Sequence, residues 1–411
     1  MSDAGFHQLF MMGRHPMPGA WQSMLPEDAA WLKLPAERWA TCASCHKVAL
    51  GEFRSDCQCC TYFPQIPNFM LGLALADDVA GPAVREVIAA GHATPQGLLA
   101  SPVAFRGAVE MEARESFGND SARQCFFFEP DTRNCRVYAY RNSVCSTFFC
   151  DNDHGDDGAA AWARLQGLMG RIEIGLSHWA MGEVGLAAAD YLARLDALAE
   201  DVAKASSAEG SWSTTALDAL WGEWRGREEA FFVACAEAVT RRRDDLFVIA
   251  KDQPYREALR FERAVRDWIP EDIRDEVPEI SDDDVEPPSI HDLYYKLDLA
   301  LRHLWALPFQ DGTVQLAPGI AIAADPESGK LALASRVGHY ALTVPRDDDE
   351  PLTVWITPPE RRLLAIFARG RAFDESLFER PELDALEDAR GFLASCLRQG
   401  ILVHRPAGAP R

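Results

Sequence analysis

Apolar residues recur at spacings of three and four through the middle of this chain and alternate in short runs near its end. The first pattern is that of amphipathic helices and the second that of strands. Ala159–Ser206, Thr215–Ala250 and Pro254–Trp268 are rich in Ala, Leu, Glu and Arg and are predicted as a helical module. Within it Trp162, Leu165, Leu168, Met169 and Ile172 make one apolar stripe, the pattern of core packing rather than of a cofactor box. Upstream the pattern is weaker. Residues 1–40 carry scattered Pro, Gly and Trp with no sustained period and read as a wrapping arm, with one short helix around Pro26–Leu34. Met70–Ala90 reads as helix in two pieces interrupted at Gly81-Pro82. His92–Pro102 reads as a turn-rich loop, and Val109–Gly118 as a strand or short helix.

Beyond the module, Asp272–Pro288 is acidic and proline-containing and reads as a solvated linker. A helix over Ile290–Ala306 is predicted next. Thr313–Val344 follows as short strands punctuated by Pro318-Gly319 and Asp325–Gly329, with Thr353–Ile356 as a further strand. Thr357-Pro-Pro-Glu is a strong helix start, because threonine caps and proline suits the first turn. Helices over Glu360–Ala368, ending at Gly370, and Leu386–Gln399, ending at Gly400, precede a last short strand, Ile401–Val403. These elements predict an α+β fold, mainly α. The expected order is an arm (1–41), a cysteine-rich metal-binding domain (42–157), the helical module (158–271), the acidic linker (272–288) and a helix with a small winged-helix-like module (289–411).

Composition changes this picture in two ways. A length of 411 residues suits two or three domains, each able to bury its own core, so the fold needs no staples. A formal charge of −22 repels phosphate backbones and anionic lipid, which argues against nucleic acid and membrane surfaces as partners. No basic start followed by a long apolar run opens the chain, and no window reaches the roughly eighteen uninterrupted apolar residues of a spanning helix. A reducing cytoplasmic address is expected.

Cysteine usage then dominates. Nine of the eleven cysteines fall between residues 42 and 150: Cys42, Cys45, Cys57, Cys59 and Cys60, then Cys125, Cys135, Cys145 and Cys150. In a reducing compartment such grouping points to metal ligands, with a redox dithiol as the lesser alternative. Cys42-x-x-Cys45 has the spacing that turns two thiolates to one centre, and Cys57-x-Cys59-Cys60 follows an eleven-residue loop. Four thiolates complete a tetrahedral zinc site or hold one iron–sulfur cluster, so nine exceed one centre. The spacing does not assign them individually. His46 is a candidate nitrogen ligand or a donor behind the ligands, against the plainer reading of a surface histidine. Arg141, between ligand candidates, reads equally as a fixed cation facing thiolates and as a surface ion pair. Cys42-Ala-Ser-Cys45-His46 also matches c-type haem attachment, but that chemistry takes place outside the reducing cytosol, and no haem is expected.

Cys125-Phe-Phe-Phe, Cys135-x-Val-Tyr-x-x-Arg141, Cys145 and Cys150 resemble the second half of the YkgJ-type cysteine-cluster family, described as a zinc- or iron-chelating domain, and Cys59-Cys60 resembles its first half. The resemblance covers roughly residues 42–150 and implies metal binding without implying an activity. Two departures stand out. Asn142 follows the arginine where the family usually has proline, and Cys57-x-Cys59-Cys60 replaces its usual Cys-x-x-Cys-Cys. Leu352–Gly370 and Phe392–Val403 loosely resemble PqqD-like winged-helix modules, which bind DNA or an extended peptide. Glu387 and Asp388 offset Arg390 and Arg398, so a peptide or protein partner is expected before DNA.

The remaining candidates read as structural. Asp151, Asp153 and His154 read as a polar loop before a harder metal site, and Asp157 as a cap for the helix starting near Ala159. His178, His291 and His303 read as structural histidines, and Cys235 and Cys396 as buried packing. No phosphate-cradling glycine loop, Gly-x-Ser-x-Gly elbow or His-Glu-x-x-His pair is present. Three functions are compatible with these features: a metal-binding protein, an iron-dependent or iron–sulfur redox enzyme modifying a peptide held by the C-terminal module, and a metal- or redox-sensing regulator.

Overall fold

The computed structural model describes residues 4–12, 14–26, 29, 32–35, 37, 42–152, 154–253, 258–276, 288–305, 313–324, 340–344, 352–368, 370–372, 377 and 389–405. The fold is mainly helical with small antiparallel sheets. It divides into two compact units, each assembled from separate stretches of chain. The first comprises Met1–Trp31, Leu50–Phe148 and Leu165–Tyr295, and the second Leu32–Ala49, Phe149–Arg164 and Lys296–Arg411.

The first unit is built around the helix Asn68–Leu75, all of whose residues are buried. It lies against the helix Glu228–Arg241, and Gly72 permits the approach: a Cβ there would stand 1.9 Å from the Phe232 carbonyl oxygen and 2.7 Å from the Ala236 Cβ. Gly72→Ala should therefore force the helices apart and cost about 2 kcal/mol, visible as a lower urea midpoint with the denaturant slope unchanged. The predicted break at Gly81-Pro82 falls earlier. Asp77 Oδ1 accepts from the amides of Val79 and Ala80, and the helix Ala80–Ala89 takes Gly81 and Pro82 into its first turn, where proline removes no hydrogen bond. The ambiguous stretch at Val109 is helical and begins at Pro102, because Ser101 Oγ accepts from the Ala104 amide and proline sits next to the cap. The expected loop at His92–Pro102 contains a minimal hairpin, Ala93–Thr94 with Gly97–Leu98.

Two features of the arm bear on the site. The ladder Leu9–Met12 with His15–Pro18 and the helix Trp21–Met24 bury Met17, Trp21 and Met24 completely. The helical module is present as Gly155–Glu183, Ala188–Ala197, Thr214–Trp221, Glu228–Arg241, Leu246–Asp252 and Leu259–Asp267. Its apolar stripe, Trp162, Leu165, Leu168, Met169 and Ile172, is buried as core. Asp157 lies inside the helix starting at Gly155 rather than capping it, and its carboxylate pairs with Arg398 at 2.5 Å. Four of the nine residues of the helix expected at Pro26–Leu34 lie outside the described residues, as do most of the acidic linker and all of Asp325–Gly329.

In the second unit, Thr313–Leu316 pairs antiparallel with Arg371–Ala372 on one side and Leu402–Arg405 on the other. A second sheet orders Leu352–Ile356, Tyr340–Val344 and Ala321–Ala324. Thr357 and Glu360 form a complete capping box for the helix Pro358–Ile366. That helix and Ala389–Arg398 bury Leu363, Leu364, Phe367, Leu393 and Cys396 in one core with Val314 and Leu402.

Candidate metal centre

The two units divide the clustered cysteines. Cys57, Cys59, Cys60, Cys125, Cys135 and Cys145 lie in the first, and Cys42, Cys45 and Cys150 in the second. In the first unit, the turn-rich segment around Cys57–Cys60 is joined to the downstream loop by the hydrogen bond from the Cys125 amide to the Cys60 carbonyl, 2.7 Å. The ladder pairing Phe128 with Cys135 folds the chain back, and the Arg136 amide returns to the Phe127 carbonyl at 2.8 Å. Cys145 is carried on the short helix Ser143–Thr147. Asn142 caps that helix by accepting from the Cys145 amide at 3.0 Å. Asparagine therefore performs at this position a task that proline, with no side-chain acceptor, cannot.

These loops bring Cys59, Cys125 and Cys135 within electrostatic reach of Cys145, and Cys135 within reach of Cys125. Burial pushes the Cys145 thiol up to about 12, and the Cys135, Cys59 and Glu173 charges add to this, while Arg141 opposes it. Cys125 is likewise pushed up, by burial first and then by Cys145 and Cys135. Cys57 belongs to different surroundings. Its Sγ donates to the Gly118 carbonyl at 3.4 Å, and burial and then the Asp56 charge raise it. Cys60 contributes its carbonyl to the loop junction.

Arg141 is held by backbone carbonyls and by an aromatic ring. Its guanidinium donates to the carbonyls of Tyr138, Cys145 and Pro16 at 3.0, 3.1 and 3.2 Å and lies 3.6 Å from the Tyr138 ring centroid. Two buried polar atoms flank the thiols: Gln58 Nε2 and Ser146 Oγ have no hydrogen-bond partner among the described residues. Gln58 also has φ of 51°, a left-handed conformation unusual outside glycine, between Cys57 and Cys59.

A carboxylate that the motif reading passed over stands behind Cys145. Glu173 is buried, accepting from Trp21 Nε1 at 3.1 Å and from the Ser143 amide at 3.0 Å, and burial raises it to about 7 against the lowering effect of these bonds. Its signal in the sequence is an acidic residue four positions beyond Met169 on the buried face of the helix. Glu173, Asn142, Ser143, Gln166 and Gln65 line a cavity of about 390 Å³.

In the second unit, Cys42 is exposed and opens a 3₁₀ turn, Cys42–Ser44, while Cys45 is buried and its thiol is hydrogen-bonded to Cys150. His46, also buried, meets Asp151 through Nε2, and Lys47 Nζ stands 3.2 Å from the same carboxylate. Burial works to raise Asp151, but the His46 hydrogen bond and the charges of His46 and Lys47 outweigh it and hold the carboxyl low. Asp153 lies outside the described residues, and His154 packs edge-on to Trp305. Cys235 and Cys396 are buried in cores. Among the described residues, no three His, Cys, Asp or Glu side chains already stand at the spacing of a bound ion, and no helix is long and apolar enough to cross a membrane.

Comparison with protein-family models, curated proteins and solved structures returns no match.

Proposed function

We propose that this chain is a metal-binding protein whose first unit holds zinc or an iron–sulfur cluster through Cys59, Cys125, Cys135 and Cys145. The observation that carries the reading is the approach of Cys59, Cys125 and Cys135 to the buried Cys145 from three segments of the chain, with Cys135 also acting on Cys125 and the like charges raising the cost of ionising Cys125 and Cys145. A cation removes that cost: it binds the thiolates, releases their protons and draws the sulfurs from their present spacing to about 2.3 Å from the metal. Gln58 and Ser146, next in sequence to Cys59 and Cys145, carry buried polar atoms with no hydrogen-bond partner among the described residues. Arg141 opposes the accumulated negative charge. The resemblance of Cys125–Cys150 to the YkgJ-type family supports the same conclusion.

Anaerobic purification tests it. Colourless protein with at least one zinc per chain identifies a structural site, whereas brown protein that bleaches with dithionite identifies a cluster. Protein that retains neither metal after expression in metal-supplemented medium contradicts the proposal.

A redox or modifying enzyme is the second reading. It is favoured by the cavity walled by Asn142 and Ser143, just ahead of Cys145, with Glu173 at its side. It requires the cluster outcome, so a zinc-only protein rejects it.

A further inference from the structure

The dipeptides Cys45-His46 and Cys150-Asp151 lie side by side in the second unit, thiol against thiol and imidazole against carboxylate. We propose that they form a second metal site, of the zinc type, in which Cys42, Cys45, His46 and Cys150 are the ligands and Asp151 positions the imidazole. This goes beyond the centre of the first unit and uses none of its residues.

The donor set is Cys3His, one of the combinations that close a tetrahedral zinc site. Cys45 and Cys150 already adjoin, as two sulfurs sharing one ion must. Cys42 enters through its Cys-x-x-Cys spacing to Cys45 across the 3₁₀ turn. Both oxygens of Asp151 are engaged, Oδ2 by His46 and Oδ1 by Lys47, so the carboxylate acts behind the ligands rather than as one of them. An imidazole that donates through Nε2 to a carboxylate presents Nδ1 as its basic nitrogen, the arrangement that fixes tautomer and ring orientation in carboxylate–histidine–zinc sites. Lys47 offsets part of the negative charge that three thiolates bring. Binding exchanges the protons of the three thiols for one Zn²⁺, with no change of oxidation state.

The test is metal stoichiometry in the full chain, with Co²⁺ as a spectroscopic substitute for zinc. The C125S/C145S chain should still bind one equivalent of Co²⁺ with thiolate charge-transfer and tetrahedral d–d absorption, and adding C45S/C150S should abolish it. C45S/C150S alone should lose one equivalent while keeping the metal of the first unit. Should C125S/C145S bind nothing while the wild type binds one equivalent, this site is refuted and the first-unit centre stands. The reverse pattern refutes that centre and leaves this one. Protection in the wild type guards against misfolding of the variants: zinc should slow alkylation of Cys45 and Cys150, mapped by mass spectrometry, at least tenfold. Unchanged alkylation, or recovery of the pair as a disulfide indifferent to zinc, overturns the proposal, the latter in favour of a redox pair. Asp151→Asn should weaken zinc binding about 10- to 100-fold with the Co²⁺ bands kept, as expected for a positioning residue.

Discussion

Serine at Cys145 should empty the first-unit centre. The thiol has Cys59, Cys125 and Cys135 as electrostatic neighbours, and it is carried on a helix fixed at both ends of its environment, by the Asn142 cap and by the Arg141 bond to its carbonyl. A serine hydroxyl does not ionise at neutral pH and is a poor ligand for a soft ion. Metal stoichiometry should fall by one centre, measured by elemental analysis. Thermal stability should fall with it, because binding energy at a structural site is folding energy: about 10–16 kcal/mol in small zinc domains, a ceiling for a unit that also has its own apolar core. Cys125→Ser should behave alike. Cys235→Ala, in the core of the helix Glu228–Arg241, should leave metal content untouched. Full metal retention in C145S would remove Cys145 from the ligand set.

The second large effect concerns pH. Glu173 is raised from 4.5 to about 7 by burial. The unfolded chain therefore loses this proton at lower pH than the folded one does, and stability falls as pH rises from about 4.5 to 7, being highest below that window. The full linkage is about 3 kcal/mol. Glu173→Gln removes it. The variant should be less stable than wild type at pH 4.5, because an amide cannot accept from both Trp21 Nε1 and the Ser143 amide. The difference should shift by about 3 kcal/mol in the variant's favour by pH 8. Parallel pH profiles from urea titrations of the two metal-free proteins would show that Glu173 does not titrate in this window.

The residues that could be read in advance are those whose signal is local. Thr357-Pro-Pro-Glu announced a helix start, and Thr357 caps the helix there; the stripe from Trp162 to Ile172 announced a buried helix face. Cysteine density singled out the stretch on which the proposed centres rest, since no ordinary core needs nine thiols in one third of a chain. What spacing could not reveal was the partition of those thiols. Cys45 is closer in sequence to Cys57 than to Cys150, yet its thiol meets Cys150, because tertiary folding places it in the other unit. Likewise, Ser101-Pro102 was hidden as a helix start by the turn residues just before it, and Glu173 by a pattern that counts only apolar positions.

Arg141 and Glu173 share one further property: each holds a piece of the N-terminal arm, Pro16 through its carbonyl and Trp21 through its indole. During synthesis the arm leaves the ribosome ahead of Arg141 and Glu173, and neither bond can form until the residue that makes it has followed. At roughly 5–20 residues per second, the thiol-bearing loops are complete some seconds before the helix behind them delivers Glu173. The cysteines of the first unit therefore emerge while the arm, whose partner Arg141 is already out, is still waiting for Glu173.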